Sequence, residues 1–324
     1  MPRVLTASLL AVVAFWCAAR ADTPSGAQAP PHVPADETAL HLAHNDELLA
    51  YSAAMAGRKA ETLAAVQRVA QALPLDVDLA SDASGWNLAQ QFAVLVRFGL
   101  WDEAVALGAP DPRAPGLTAA WLYSRGVALA ARGRIEDART ALRQLRQLAA
   151  AVPADMPAGS NTLQAVLAVA EPIVAARIAA TEQRSAEALT LLRQAVAAQD
   201  ALAHNEPADW FFPARHLLGA QELIAGHAAQ AERVYREDLR RNPANGWALY
   251  GLAAALRSQG RAQEAATVAR TFEAAWRSAD VRLLASAFWF AGPDTTSCEC
   301  QRTASGDRQA GGELLRAQHE AGVH

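Results

Sequence analysis

Glycine recurs at a fixed interval in two parts of this chain, and that interval restricts the fold more than any other feature of the sequence. Gly99 and Gly133 are 34 residues apart, as are Gly226 and Gly260, and each is followed five residues later by an alanine: Ala104, Ala138, Ala231 and Ala265. A turn glycine with a small residue shortly after it suits a helical hairpin whose second helix crosses a neighbour closely. One hairpin cannot bury its apolar face alone, so a chain with this period has to stack hairpins on one another. From about Glu37 onward apolar residues recur at helical spacing, and no run of alternating β-branched residues competes with that pattern. The expected fold class is all-α.

Composition limits the rest. The chain has 324 residues, 52% hydrophobic and 19% charged, which is a globular composition and excludes disorder throughout. A single core stops growing at roughly 250 to 300 residues, so a chain of this length forms either two domains or an array whose core is built repeat by repeat. A formal charge of −4 provides no positive field to hold nucleic acid.

The unit 212–245 carries the most specific pattern. Leu218-Gly219 sit in its first helix, Gly226 at the turn, Ala231 at the helix crossing, Tyr235 in the second helix and Pro243 at its end. The next unit, 246–279, keeps Leu249, Leu252, Ala253, Leu256, Gly260, Ala265 and Phe272, and the units 85–118 and 119–152 keep Gly99, Ala104, Gly126, Gly133, Ala138 and Leu142. Upstream, 43–76 fits with Gly57, Val66 and Pro74, although Thr62 stands where alanine is expected. Between the pairs, 161–203 reads as a lengthened hairpin in which Gln183 replaces the turn glycine. With these residues the chain resembles the tetratricopeptide repeat (TPR) family over most of 38–280, and the stretches 206–213 and 235–243 are similar to uncharacterised exported bacterial proteins of that class. The resemblance implies a right-handed superhelical solenoid of about six TPR-like hairpins in a domain spanning 38–290. Val281–Phe290, with Leu283, Leu284, Phe288, Trp289 and Phe290, is expected to be its C-terminal capping helix.

The flanks read differently. Residues 1–21 have the order of a secretory signal peptide: Arg3, an apolar stretch from Val4 to Ala19, and the small-residue site Ala19-Arg20-Ala21. The apolar stretch is shorter than the ~20 residues of a spanning helix, and no other stretch reads as a span, so a periplasmic or otherwise secreted protein without stable membrane insertion is expected. Residues 22–37, with Pro24, Pro30, Pro31 and Pro34, read as a disordered linker, and 291–324 as a flexible tail holding Cys298 and Cys300.

No catalytic signature is present: the sequence lacks G-x-S-x-G, H-E-x-x-H and G-x-x-x-x-G-K-[ST] motifs, so no enzyme and no cofactor is expected. Cys298-Glu299-Cys300 reads as a tail disulfide, as thiols that pair with another chain, or alternatively as a pair of thiolates for a soft metal, which would make this a copper- or thiol-handling envelope protein. His41 and His44, with Glu47 three residues on, share one helical face, a weaker metal candidate. In the repeat class that the chain resembles, the concave groove is lined by set positions of each first helix. Transferring them selects His44, Glu47, Tyr51, Trp86, Tyr123, Arg177, His216, Trp247, Tyr250 and Arg257. Trp86, Tyr123, His216, Trp247, Tyr250 and Arg257 are the expected ligand-binding residues, because aromatic and arginine side chains anchor binding surfaces. The expected role is a scaffold that binds a protein or extended peptide in that groove.

Overall fold

Six of the turns that join two helices are built from the same pair of backbone hydrogen bonds. At Gly57, Gly99, Gly133, Gln183, Gly226 and Gly260 the backbone is left-handed, with φ between +60° and +77°. The N–H of each bonds back three residues, and the N–H of the next residue bonds back five, as in Gly133 to Ala130 and Arg134 to Leu129. This is the Schellman ending, which satisfies carbonyls the first helix would leave open. Five of the six positions use glycine; Gln183 adopts φ +60° with a side chain that disfavours it.

The computed structural model describes residues 37–288. They belong to one compact unit, Met1–Pro293, and a second unit, Asp294–His324, lies outside them, as do the expected signal peptide, most of the linker, Cys298 and Cys300. Among the described residues the chain is mostly helical with almost no strand, as the periodicity predicts. The helices are α1 (Glu37–Met55), α2 (Lys59–Ala72), α3 (Leu75–Ser81), α4 (Gln90–Arg97), α5 (Trp101–Ala106), α6 (Pro115–Ala131) and α7 (Ile135–Ala151). After them come α8 (Leu163–Thr181), α9 (Ser185–Asp200), α10 (Ala214–Ile224), α11 (Ala228–Arg241), α12 (Gly246–Ser258) and α13 (Ala262–Ala275). A two-residue antiparallel pair, β1 (Pro157–Ala158) with β2 (Asn161–Thr162), precedes α8.

Helix pairs joined by these turns pack together, α1 with α2, α6 with α7, α8 with α9, α10 with α11 and α12 with α13. The first helix of a pair is covered on several sides: in α6 the buried set runs nearly unbroken from Gly116 to Ala131. The second helix is covered on one side only, as in α7, where Ala138, Ala141, Leu142 and Leu145 are buried at helical spacing. The residue five beyond each turn, namely Thr62, Ala104, Ala138, Ala188, Ala231 or Ala265, is at most 2% exposed. Thr62 is tolerated because its hydroxyl turns back to its own helix and donates to the Arg58 carbonyl. Gly219 and Gly251 flank the Tyr235 ring, and a Cβ at either would collide with it.

Two sequence expectations need correction. The segment 281–288 is not helical. Its residues are bound to the body one at a time: the Trp276 indole donates to the Val281 carbonyl, the Ser286 hydroxyl meets Tyr235 Oη at 2.6 Å and the His216 carbonyl at 2.9 Å, and Leu283 and Ala287 are buried. These contacts exceed what a helix of so few residues gains from its own hydrogen bonds. Second, α8 is long and apolar enough to cross a membrane, contrary to the reading that no such stretch exists. The physical reason is its position: it packs against α6, α7 and α9, so apolar residues face partners on nearly every side.

The turn after α1 meets the segment that follows α13. The Asp280 carboxylate accepts from the first backbone N–H groups of α2, Lys59 at 2.6 Å and Ala60 at 2.8 Å, and the Asp280 N–H donates to the Gly57 carbonyl. The Trp276 ring covers both Gly57 and Gly246 so closely that a Cβ at either would strike it, and the Trp247 indole donates to the Ala54 carbonyl at 3.0 Å.

Candidate functional site

Of the positions expected to line an open groove, Trp86, Tyr123 and His216 lie around neighbouring cavities, but the chain itself fills most of that space. Trp86, Tyr123, His216 and Trp247 are all buried, as is Arg177; Glu47, Tyr51 and Tyr250 are half-buried, and His44 and Arg257 are exposed. The filling comes from two segments that the repeat period does not describe. Trp210, Phe211 and Phe212 of the loop before α10 each meet a ring of the expected groove. Trp210 meets Tyr123 edge-on at 5.0 Å, Phe211 stacks on Trp86 at 5.4 Å, and Phe212 stacks on Tyr51 at 6.3 Å. Phe288 of the C-terminal strap packs edge-on against Trp247 at 5.8 Å. Ring pairs of this kind add about 0.5 to 1.5 kcal/mol beyond the area they bury. The expectation of an exposed aromatic lining is therefore corrected for Trp86, Tyr123, His216 and Trp247, which pack rather than face solvent. Tyr250 packs edge-on against Phe272 at 5.5 Å and keeps part of its ring at the surface.

Loop 206–213 is positioned by a buried carboxylate. Asp209 accepts from the Ser160 N–H, from Asn161 Nδ2 and from Asn205 Nδ2, while its carbonyl accepts from the Trp86 indole at 3.1 Å. Gly159, at φ +61°, leaves the space that Asp209 occupies.

At the centre lies a buried polar chain that the sequence reading found only in part. Arg97, at the end of α4, donates from Nη1 to His216 Nδ1 at 2.9 Å, and His216 Nε2 lies 3.0 Å from Asp238 Oδ2. Arginine has only donors, so Nδ1 is the unprotonated nitrogen and Nε2–H donates to Asp238. His216 is thus neutral and links a buried guanidinium to a buried carboxylate. Burial holds its pKa below the ordinary histidine value even though Asp238 opposes this. For Asp238 burial raises the pKa, but His216, Asn245 and Asn242 together hold it below the usual carboxylate range. Asn245 Nδ2 is 2.8 Å from Asp238 Oδ2 and 2.6 Å from His216 Nε2; two donors cannot bond each other, so both point at the carboxylate. The Asn245 carbonyl oxygen caps α12 through the Trp247 N–H. The Arg97 guanidinium lies over the Trp247 ring at 3.7 Å and near Phe212 at 4.9 Å. Burial lowers its pKa to about 9, which leaves it charged at neutral pH.

Of two cavities, the first adjoins these residues and the second lies beside α1. One, of about 40 Å³, is lined by Arg97, Tyr123, Trp101, Trp210, Phe211 and Phe288 among others. The second, of about 340 Å³, is lined by His41, His44 and Glu47 of α1 together with Asp82, Asn87 and Gly159. His41 and His44 are therefore brought to one cavity with Glu47, as their spacing predicts. Yet His44 Nδ1 is 3.8 Å from Glu47, and among the described residues no three histidine, cysteine or acidic side chains are grouped to hold a metal ion. Burial, with Asp78 nearby, pushes the Glu47 carboxyl up to about 8, and burial pushes Asp78 up to about 7 despite the hydrogen bond from Asn87.

That shift gives a pH dependence with a definite sign. A carboxyl with a raised folded pKa keeps a proton that the unfolded chain has released, so its stabilisation is full below about pH 4.5 and is lost as pH rises toward 8. Glu47→Gln, which cannot ionise, is expected to equal the parent at pH 4 and to exceed its stability at pH 8.5 by about 1 to 3 kcal/mol. Urea denaturation at the two pH values measures this; an unchanged difference between them would show that Glu47 is ionised in the folded protein.

No protein-family model matches this chain, and no curated protein or solved structure matches it either.

Proposed function

We propose that this protein is an exported, non-enzymatic interaction scaffold: a TPR-like solenoid of about six hairpins that binds a protein or an extended peptide on its inner face. The observation that carries the reading is the strap 281–288. It lies against His216 and Trp247, two of the six residues selected as ligand contacts, and is held by the Ser286 hydroxyl and the apolar side chains of Leu283, Ala287 and Phe288. A face that accepts a non-helical segment of its own chain has the chemistry to accept one from a client, and the recurrent turns at 34-residue spacing support the repeat architecture. The residues left accessible for a client in the strap's presence are Tyr250 and Arg257.

Export belongs to the same proposal and rests on the order of charged, apolar and small residues in 1–21. The other reading, copper or thiol chemistry at Cys298 and Cys300, concerns residues outside those described, and no observation on the described residues favours it.

An occupant in cis reduces apparent affinity by the fraction of molecules in which the face is open. In full-length protein carrying Ser286→Ala and Phe288→Ala, a labelled peptide of residues 281–288 is therefore expected to bind about ten-fold more tightly than to the parent chain. Fluorescence anisotropy reads the difference. If the variant stays folded and binds the peptide no better than the parent does, the strap is a fixed part of the core and the inner face is not a client site.

A further inference from the structure

Glu47 is a mostly buried carboxyl that receives no hydrogen bond from the described residues. Its side chain is 13% exposed, and His44 Nδ1, at 3.8 Å, is beyond bonding distance. Unlike Asp78 Oδ2, which is sealed off and unpartnered, the Glu47 oxygens keep accessible surface, and Glu47 lines the cavity of about 340 Å³. A buried carboxyl without donors is costly to ionise, and burial with Asp78 nearby holds it as the acid up to about pH 8. A positive group brought into the cavity supplies both missing elements, charge and donors.

The rest of the lining points the same way. Helical spacing sets His41, His44 and Glu47 along one stripe of α1, and Asp82 at the end of α3 and Gly159 at the β1–β2 turn border the same cavity. Asp82 Oδ1 accepts from the Ser84 N–H and hydroxyl, and Oδ2 from the Gly159 N–H at 3.1 Å, which leaves the carboxylate about one acceptor position. Asn87 gives its amide N–H to Asp78 and leaves its own Oδ1 without a hydrogen bond among the described residues. No lysine or arginine lines the cavity. It therefore offers acceptors in excess, and an ammonium group has donors only. A metal ion does not fit, since among the described residues no three histidine, cysteine or acidic side chains are grouped to hold one.

Size and the apolar part of the wall narrow the class. A cavity of about 150 Å³ takes benzene, so about 340 Å³ has room for roughly twelve non-hydrogen atoms. Leu40, Ala43 and Leu73 offer methylene groups an apolar surface. We propose that this cavity is a binding site for a linear aliphatic polyamine of the size of spermidine, with one ammonium group held by Glu47. Asp82 and Asn87 Oδ1 take further N–H donors. The site is independent of the client-binding reading, since it uses none of the six residues selected as ligand contacts and the strap does not border it.

Binding has to displace the Glu47 proton, which sets the sign of a pH dependence. The other titratable groups at the cavity are His41, His44 and Asp82, with Asp78 behind Asn87; α4 meets Glu47 through the Gln90 amide, which donates to its carbonyl, and α2 buries Ala65, Val66 and Val69. Calorimetric titration of the full-length protein with spermidine at constant ionic strength, at pH 6 and pH 8, tests the site. Spermidine is expected to bind saturably at one site per chain, about ten-fold or more tightly at pH 8 than at pH 6, because only the ionised carboxylate is competent. Triethylene glycol, a chain of the same length without charge, is expected not to bind. At pH 8, Glu47→Gln should weaken spermidine by about ten-fold and lose most of the pH ratio, which a charge on His41 or His44 alone would preserve. Ser81→Arg places a fixed positive charge at an exposed position of the wall and should weaken spermidine by a similar factor. Absence of saturable binding to the parent at pH 8 overturns the assignment. So does equal binding of triethylene glycol, or undiminished spermidine binding by folded Glu47→Gln, which would reduce the effect to general attraction by an acidic protein. If Glu47→Gln does not fold, the pH ratio of the parent and the Ser81→Arg result decide.

Discussion

Asp238→Ala is expected to destabilise the protein by about 3 to 5 kcal/mol, because it leaves the Arg97 charge buried with no anion at the far end of its hydrogen-bond chain. Asp238 is fully buried, and its Oδ2 receives both His216 Nε2–H and Asn245 Nδ2. Removing the carboxylate strands both donors as well as the more distant guanidinium. For a chain of this size such a loss corresponds to a fall in Tm on the order of 10 °C. The informative comparison is the double variant: Arg97→Met added to Asp238→Ala removes the stranded charge and should recover part of the loss, giving a coupling energy above about 0.5 kcal/mol in a double-mutant cycle. Additive losses would show that the two charges do not sense each other through His216. Acid should mimic the aspartate substitution. Asp238 has a depressed folded pKa, so its stabilisation is present above the unfolded carboxylate value and disappears as pH falls through the folded one.

Trp247→Ala is the second large effect, expected to cost about 3 to 5 kcal/mol. The ring has no solvent exposure, carries the Arg97 guanidinium on its face, touches Phe98, Trp276 and Phe288, and donates to the Ala54 carbonyl of α1. Truncation would therefore open a void and also loosen the junction between α12 and α1. Thermal denaturation followed by near- and far-ultraviolet circular dichroism should show a lowered Tm with early loss of the aromatic signal. Arg257→Ala, on an exposed side chain, should stay within about 0.5 kcal/mol of the parent. A tryptophan that served only as a ligand anchor would behave like Arg257 in this assay, so the contrast between the two variants, almost three turns apart on one helix, separates packing from recognition.

Part of the centre was legible before any coordinates. Ala231, Tyr235 and Asp238 lie at i, i+4 and i+7, so helical period alone sets Asp238 on the buried face of α11. Arg97 closes the apolar run Phe92-Ala93-Val94-Leu95-Val96, which is a poor environment for a charge unless a partner waits there. His216 was selected by repeat register and is indeed central, but as the link between these two rather than as a surface contact. What no local signal could supply was the pairing itself, since Arg97 and His216 are 119 residues apart in sequence.

What the sequence determined by itself is the set of interactions that close within a few residues. Left-handed turns at Gly57, Gly99, Gly133, Gly226 and Gly260, small residues five positions later, and the amphipathic second helices all follow from φ, side-chain size and a 3.6-residue period. Even the exception was visible, because Gln183 occupies the glycine place and adopts the same φ. Tertiary structure alone decided whether the expected groove face is open. The register of the resembled repeat assigns Trp86, Tyr123 and Trp247 to that face, but it says nothing about Trp210, Phe211 and Phe212, which arrive from a loop, or about 281–288, whose local pattern reads as a helix. Those segments are placed by burial of rings against rings distant in sequence and by single bonds such as Ser286 to the His216 carbonyl. Apolar burial is non-directional and scales with area rather than with sequence distance, so a local reading cannot tell which surface will be covered or by what.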